Sequence, residues 1–511
     1  MINRGSFQLL NSYLKSSDTK NMTYDFDMTG VNGEKVHFHG YKVINNSVAL
    51  NPWAYWKATT TLNVVLSTPH TTDCKLLGRG ILRIQPSDFK SELFSMHSYG
   101  PGALGKLASA SSFLNYFTKQ SAGMFLTPFS FLQYPSQTRK DFNGLNIEDH
   151  FHVYASDNVK SEMKMWNPPH FKPGPSARPP VILMIPGASV DHEIYALPTI
   201  EHNAIDHLRH AGYRIYTVTH RIGKNDENRS ARTENGRGPP RGPTNYEARL
   251  DIEAAIRKIR EREGPDKIYV IAHCMGSVAF GMGLMDGTIP AKWIKGITAS
   301  QVFINPIWYI ENKVKTWFPV GLDSVYRKAV GLWYSCNSSR NDSWLQQSLN
   351  QALRFYPVGR REELCNSVCC HRCSFVFGRL WNHKNLNEAT HSQVDRFFSG
   401  VNMTWLHHAM KFGVLGNVTN DLDHDIATDD NIRRIKGIPI LLFSGSDNVV
   451  LDPESTMRSY DRLRKVNGPQ GYRREVIEGY GHIDGWMGKS AYEHVYPMVL
   501  EHVDQVYGRA G

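Results

Sequence analysis

Three short apolar runs separated by two helical segments restrict this chain more than any other feature. Val181-Ile-Leu-Met-Ile185 is continuously apolar and stops at Pro186-Gly187, as a strand buried on both faces does. A helical segment over about 198–211 leads to Gly212-Tyr-Arg-Ile-Tyr-Thr-Val218, and a second over about 245–262 leads to Lys267-Ile-Tyr-Val-Ile-Ala272. Strand, helix, strand, helix, strand predicts an α/β fold with a doubly wound, mostly parallel sheet. Over residues 304–425 that rhythm gives way to mostly helical, aromatic-rich sequence, with Trp308, Tyr309, Trp317, Phe318, Trp333, Trp381 and Trp405. Ile438-Pro-Ile-Leu-Leu-Phe443 then restores a strand and Arg474-Glu-Val-Ile477 supplies a last one. The interval between is predicted to be a helical cap inserted over the working edge of the sheet.

At 511 residues the chain exceeds what one core usually organises, so two domains are expected. The front part differs in kind from the sheet that follows. Val36-His-Phe-His-Gly-Tyr-Lys-Val-Ile44 alternates, Thr59-Thr-Thr-Thr-Leu-Asn-Val-Val-Leu66 is β-branched, and Gly78-Arg-Gly-Ile-Leu-Arg-Ile84 follows. Helices are expected over 87–96 and 101–118, and the Pro-rich stretch 167–180 is a connection. The expected order is a tail over 1–21, a β-rich accessory module over 22–150, core over 151–303, cap over 304–425 and core again over 426–511.

The strand ending at Ala272 runs straight into Cys274-Met-Gly276 and a helical segment over 277–285. A strand, a sharp turn and a helix lift one side chain above the sheet edge, and small residues are needed where the two backbones meet. Ala272 and Gly276 flank the turn, so A-H-C-M-G stands where a serine hydrolase reads G-x-S-x-G. Cys274 is the candidate nucleophile, and a helix N-terminus and a partner histidine both favour its thiolate. The alternative is a small buried hydrophobe. Further on, Phe443-Ser-Gly-Ser-Asp447 and Gly479-Tyr-Gly-His482 each leave a strand, giving the order nucleophile, acid, histidine. Asp447 is expected to orient His482, which takes the thiol proton and returns it to the leaving group. Asp452 and Asp484 compete for the acid's place. Two backbone N–H donors for an oxyanion are expected from Met275 and Ala188, with Gly187 letting the backbone come close. Ser277, one helical turn on, faces into its helix.

These motifs resemble the α/β-hydrolase family, and more narrowly the hydrolase module fused behind cholesterol-oxidase-like GMC flavoprotein domains. The matching pieces are Ala272-His-Cys-Met-Gly-Ser277, Gly78-Arg-Gly-Ile-Leu-Arg-Ile84, Asn402-Met-Thr404 and Tyr480-Gly-His-Ile-Asp-Gly-Trp-Met-Gly488. No strand followed by G-x-G-x-x-G opens the chain, so oxidase activity is not implied. A cysteine nucleophile on this fold is similar to dienelactone hydrolases and, more distantly, polyhydroxyalkanoate synthases. The resemblance implies cleavage of an ester, lactone or thioester of an apolar, sterol- or polyketide-like substrate through an acyl-cysteine. It equally implies transfer of the acyl group by an acyltransferase or cyclising enzyme. A third reading is a hydrolase fold kept only for ligand binding, favoured by Ala272-His-Cys in place of Gly-x-Ser and opposed by the retained Asp447 and His482.

Composition narrows the partners. The formal charge is +10, but the densest basic segment, 221–249, also holds Asp226, Glu227, Glu234 and Glu247, and reads as a solvated loop; no nucleic-acid partner is expected. No run of about 18 apolar residues exists for stable membrane insertion, and the start lacks the apolar core of a secretory signal, so a cytoplasmic protein is expected. Seven cysteines, four of them within 365–373, do not make a disulfide framework, and the sequon at Asn402 is expected to be silent. Cys365-x3-Cys369-Cys370-His371-x-Cys373 offers soft zinc ligands, but its spacing is not that of a knuckle and no second Cys/His pair follows at a finger-like distance. It reads as cap core, with no metal and no cofactor.

Overall fold

The computed structural model describes residues 2–12, 16–69, 75–85, 97–127, 131–135, 145–171, 178–234, 237–316, 322–359 and 363–509, with 88, 91 and 129. The helix expected over 87–96 lies outside the described residues except for two positions, as do Trp317, Phe318 and residues 172–177 of the Pro-rich connection. Two compact units form, one from residues 1–133 with 357–367, the other from 134–356 with 368–511. Residues 357–367 thus leave the expected cap, and the accessory module begins at the start of the chain.

The first unit carries an antiparallel sheet of β1 (Ile2–Ser12), β2 (Thr19–Thr29), β3 (Lys35–Asn45), β4 (Thr61–Ser67) and β5 (Leu76–Arg83), in sequence order. Residues 2–12, read as tail, are β1. Its polar composition hides a strand anchored by few apolar contacts: Leu10 is buried with Met22, Ile44, Val48 and Met124, and Phe7 meets Tyr24 with ring centroids 4.7 Å apart. Two helices, Pro52–Thr60 and Gly102–Phe125, supply residues packed on that cluster. The first takes Thr59 and Thr60 from the strand expected there, because Asn51 caps it by accepting from the Ala54 N–H at 3.0 Å and Pro52 presets its first turn.

The second unit is built on eight strands: β6 (Asp149–Tyr154), β7 (Lys160–Trp166), β8 (Val181–Ile185), β9 (Arg214–Thr219), β12 (Ile268–His273), β13 (Ile294–Ser300), β16 (Ile440–Gly445) and β17 (Tyr472–Ile477). Two ribbons stand apart, β10 (Arg232–Glu234) with β11 (Arg237–Arg241), and β14 (Trp333–Ser335) with β15 (Gly400–Asn402). The sheet order is β17-β16-β13-β12-β8-β9-β7-β6. The six strands from β17 to β9 are parallel, and β7 and β6 add an antiparallel edge. Every residue of β8, β12 and β16 is buried, as their unbroken apolar runs require. The helices Ala204–His210 and Ala248–Glu263 complete the α/β layers. The expected mostly parallel α/β fold with an antiparallel β-rich front sheet is the one observed.

Between β13 and β16 the chain makes the helices Ile310–Thr316, Leu322–Ala329, Trp344–Leu353, Val368–Phe377 and Met403–Leu415. Asn402 is buried and accepts from the Thr404 N–H at 2.9 Å, capping the last of these, so its sequon is closed to modification. The basic stretch 221–249 is anchored where a solvated loop was expected. Arg221 is 2% exposed, with its guanidinium 2.7 Å from buried Asp251 and 2.6 Å from Asp157, two carboxylates that offset its desolvation. Among the described residues no helix is long and apolar enough to cross a membrane.

Candidate active site

The site starts at the end of β12. Cys274 opens the helix Cys274–Asp286 with φ of 53°, a left-handed conformation that a side chain rarely adopts outside a constrained turn. The crowding behind the turn explains its glycines. A Cβ on Gly276 would stand 2.1 Å from the Pro186 carbonyl oxygen, and one on Gly187 would meet Cys274 Cβ at 3.1 Å. His220 fixes the same carbonyl through a 2.8 Å hydrogen bond to Pro186 O. Replacing Gly276 by alanine must move the backbone of the β8 loop. We expect a loss of about 3 kcal/mol, read as a fall in Tm of at least roughly 5 °C in thermal denaturation.

With the elbow held this way, the backbone N–H groups of Met275 and Ala188 are the polar neighbours of the Cys274 thiol that favour its ionised form. Ser277 is buried and donates to Val302 O at 2.6 Å, so it is no rival nucleophile.

His482 arrives from the loop after β17. The Cys274 thiol and one ring nitrogen each of His273 and His482 lie within 4.8 Å of one another. His482 Nδ1 is 3.2 Å from Asn448 Oδ1, which also accepts from the N–H groups of Val450 and Leu451 at 3.1 and 3.2 Å. Asn448 Nδ2 donates to Gln301 Oε1 at 2.9 Å, and that oxygen also accepts from Ser444 Oγ and the Gly445 N–H. The amide orientation is thereby fixed, and Nδ1 of His482 must be the donor. Its Nε2 is left as the basic nitrogen, buried and without a hydrogen-bond partner among the described residues. The loop carrying it is held by Leu380 O, which accepts from the N–H groups of His482 and Ile483 at 3.0 and 2.9 Å.

The side chain on Nδ1 is therefore Asn448, one residue beyond the expected Asp447. Asp447 is half-buried and its carboxylate accepts from Asn382 Nδ2 at 2.8 Å, whereas Asn448 is fully buried. A neutral amide is the less costly group to bury beside an imidazole. The other two candidate acids do structural work. Asp452 accepts from the Glu454 N–H at 2.9 Å, and buried Asp484 accepts from the N–H groups of Gly481 and Asn382 and from Asn385 Nδ2 at 2.7, 3.1 and 2.7 Å. Burial raises the Asp484 carboxyl to about 7.

Burial governs the resting protonation as well. It pushes the Cys274 thiol up to about 12 against the pull of the Met275 and Ala188 N–H groups, and pushes the His482 imidazole down to about 3. The thiolate expected from the helix N-terminus is thus outweighed, and thiol and imidazole rest neutral. Iodoacetamide should accordingly alkylate Cys274 ever faster as pH rises from 6 to 10, about tenfold per unit. A plateau beginning below pH 8 would show a resting thiolate.

Cys274, Met275, Ala188 and His482 line a cavity of about 300 Å³ within the second unit. Its other walls come mainly from the insertion: Trp308, Phe375, Phe377, Met403, Trp405 and Met410, with Lys315 among the few polar groups. Trp381 is buried against Phe398 outside that lining. Burial lowers the Lys315 amine to about 7, and the amine donates to Asn312 Oδ1 and Phe375 O at 2.8 Å each. Sequence reading missed Asn448, Gln301 and Lys315. The first follows Asp447 directly, and the other two carry no local signal, since only the fold brings them in.

Comparison with known proteins adds a family. A family model described as "Alpha/beta hydrolase family" matches residues 182–490. No curated protein matches the chain in a sequence comparison. Similar solved structures include a protein of Burkholderia cenocepacia assigned as an aryl esterase, 15% identical, covering 71% of this chain and 100% of its own, with a TM-score of 0.42. Others come from work on carboxylesterases of Nitrososphaera gargenis, 12% identical over 70% of this chain and 99% of its own with a TM-score of 0.40, and from an esterase of Pyrococcus furiosus, 14% identical over 73% and 98% with a TM-score of 0.37.

Proposed function

The chain belongs to the alpha/beta hydrolase family, and from that premise we propose that it cleaves an ester, lactone or thioester of an apolar substrate through an acyl-cysteine on Cys274. The observation that carries this reading is the convergence on one sulfur of two backbone N–H groups, from Met275 and Ala188, with the His482 imidazole within 4.8 Å. Donors aimed at the nucleophile stand beside the place where a carbonyl oxygen becomes an oxyanion.

In the proposed cycle, sulfur attacks the carbonyl carbon while His482 Nε2 takes the thiol proton, and the Met275 and Ala188 N–H groups hold the oxyanion. Collapse expels the alcohol or thiol, which receives the proton from His482, and leaves an S-acyl cysteine. Water then attacks that thioester with His482 as base, releasing the acid and restoring the thiol. Asn448 keeps Nδ1 protonated so that Nε2 faces the chemistry.

The cavity's apolar walls favour a sizeable apolar acyl or alcohol group. They also favour a second outcome: where a bound apolar substrate displaces water from the site, an alcohol or amine competes for the thioester, making the chain an acyltransferase or cyclising enzyme. Both readings are tested by turnover of aryl esters of increasing acyl length, with products analysed in water and with an added alcohol. Free acid alone supports hydrolysis, and an alcohol ester formed in excess supports transfer. Saturable binding with no product from any ester would favour the binding-protein reading.

A further inference from the structure

Away from the catalytic cysteine, the second unit gathers another set of soft ligands. Cys370 lies on the helix Val368–Phe377, His383 on the short turn His383–Asn385, and His391 at the end of the helix Glu388–His391. All three are buried, and one ligand atom from each lies within 4.8 Å of the others. Cys370 Sγ is 3.4 Å from His391 Nε2, and the rings of His383 and His391 meet edge to face with centroids 5.0 Å apart. We propose that Cys370, His383 and His391 bind a zinc ion.

The spacing of Cys370 and His391 suits zinc before any rearrangement. With Zn–S of about 2.3 Å and Zn–N of about 2.0–2.1 Å, tetrahedral zinc places a sulfur and a nitrogen ligand ~3.6 Å apart. The Cys370–His391 separation is already close to that. A thiol–imidazole hydrogen bond accounts for this one pair, but not for a second imidazole brought to the same point from a third element. The next thiols on the same helix are engaged elsewhere: Cys369 donates to Asn337 Oδ1 at 3.4 Å and lies 3.9 Å from Cys373 one turn on. Binding would release the Cys370 thiol proton to solvent and engage both histidines as neutral imidazoles.

A zinc ion here would tie the helix bearing Phe375 and Phe377, two walls of the cavity, to the segment after Leu380. That segment supports the catalytic loop: Leu380 O holds the N–H of His482, and Asn382 and Asn385 both donate to Gly479 O. The site is thus a structural one that stiffens the support of His482.

The test is the zinc content of full-length protein expressed with added zinc and dialysed, measured by plasma mass spectrometry. One zinc per chain is expected in the wild type and in Cys274→Ala, which removes the other Cys/His cluster, with at least a tenfold loss in Cys370→Ser and His391→Ala. Should those variants not fold, wild type stripped with a chelator and refilled with cobalt is expected to show thiolate-to-cobalt absorption and a higher Tm than the stripped protein. Less than a tenth of a zinc per wild-type chain, undiminished zinc in both variants, or a cobalt spectrum without a thiolate band would overturn the proposal. These readouts stand whether or not the chain proves to be an esterase.

Discussion

Cys274→Ala is expected to lower kcat for an aryl ester by about 10⁴-fold or more, with the protein still folded and still binding the ester in its cavity. The size follows from the proposed role of the thiol. In that mechanism its sulfur forms the new bond, and without it only the proposed oxyanion donors and the bound geometry remain to assist water. Stability should change little, since alanine keeps the Cβ at the elbow and the removed sulfur faces the cavity. Steady-state kinetics together with a thermal melt check both halves of the expectation. A fall in activity matched by a fall in Tm would point instead to a packing role for the thiol.

The second large effect is expected at Asn448. Removing its amide in Asn448→Ala leaves Nδ1 of a buried imidazole without its acceptor, so the proton can move to Nε2 and the ring can turn. A loss of about 10²- to 10⁴-fold in kcat is expected, with KM changed much less. Asp447→Asn keeps a polar group of the same size facing Asn382 and is expected to cost less than about 10-fold. Asn448→Asp supplies the readout that a purely structural residue would not move. A carboxylate at 3.2 Å from Nδ1 favours the imidazolium, so the acidic limb of the kcat/KM profile should shift to higher pH. Equal losses in Asp447→Asn and Asn448→Ala, with no shift in the profile of Asn448→Asp, would restore Asp447 to the orienting role.

An amide in that place fits a thiol nucleophile. A carboxylate beside the histidine stabilises the imidazolium that forms as the nucleophile loses its proton. A thiol is a much stronger acid than a hydroxyl, so less of that help is needed, and the histidine can be oriented by a neutral acceptor. Gln301 and the N–H groups of Val450 and Leu451 complete the amide's hydrogen bonds, so it is held without a buried charge.

The sheet was legible because β8, β12 and β16 are covered on both faces and must be written in unbroken apolar residues. By contrast β13, Ile-Lys-Gly-Ile-Thr-Ala-Ser, mixes its signals, and β6 and β7 at the sheet edge alternate too weakly to stand out. The elbow was legible from Ala272, Cys274 and Gly276, as steric need there leaves so few choices. The partner of His482 was not, because Asp447 and Asn448 are adjacent and only the turn after β16 decides which of them faces inward. For the same reason the histidines near Cys370 were missed: they lie 13 and 21 residues further on in the sequence. Only the folding of the cap closes that distance.

The most direct measurement is the intact mass of the protein mixed with an excess of a slowly hydrolysed aryl ester and quenched in acid, followed by peptide mapping. The proposed mechanism predicts a mass increase equal to one acyl group, located on the peptide containing Cys274 and absent from Cys274→Ala. Turnover with the acyl group on another residue, or turnover that persists in Cys274→Ala, would contradict it.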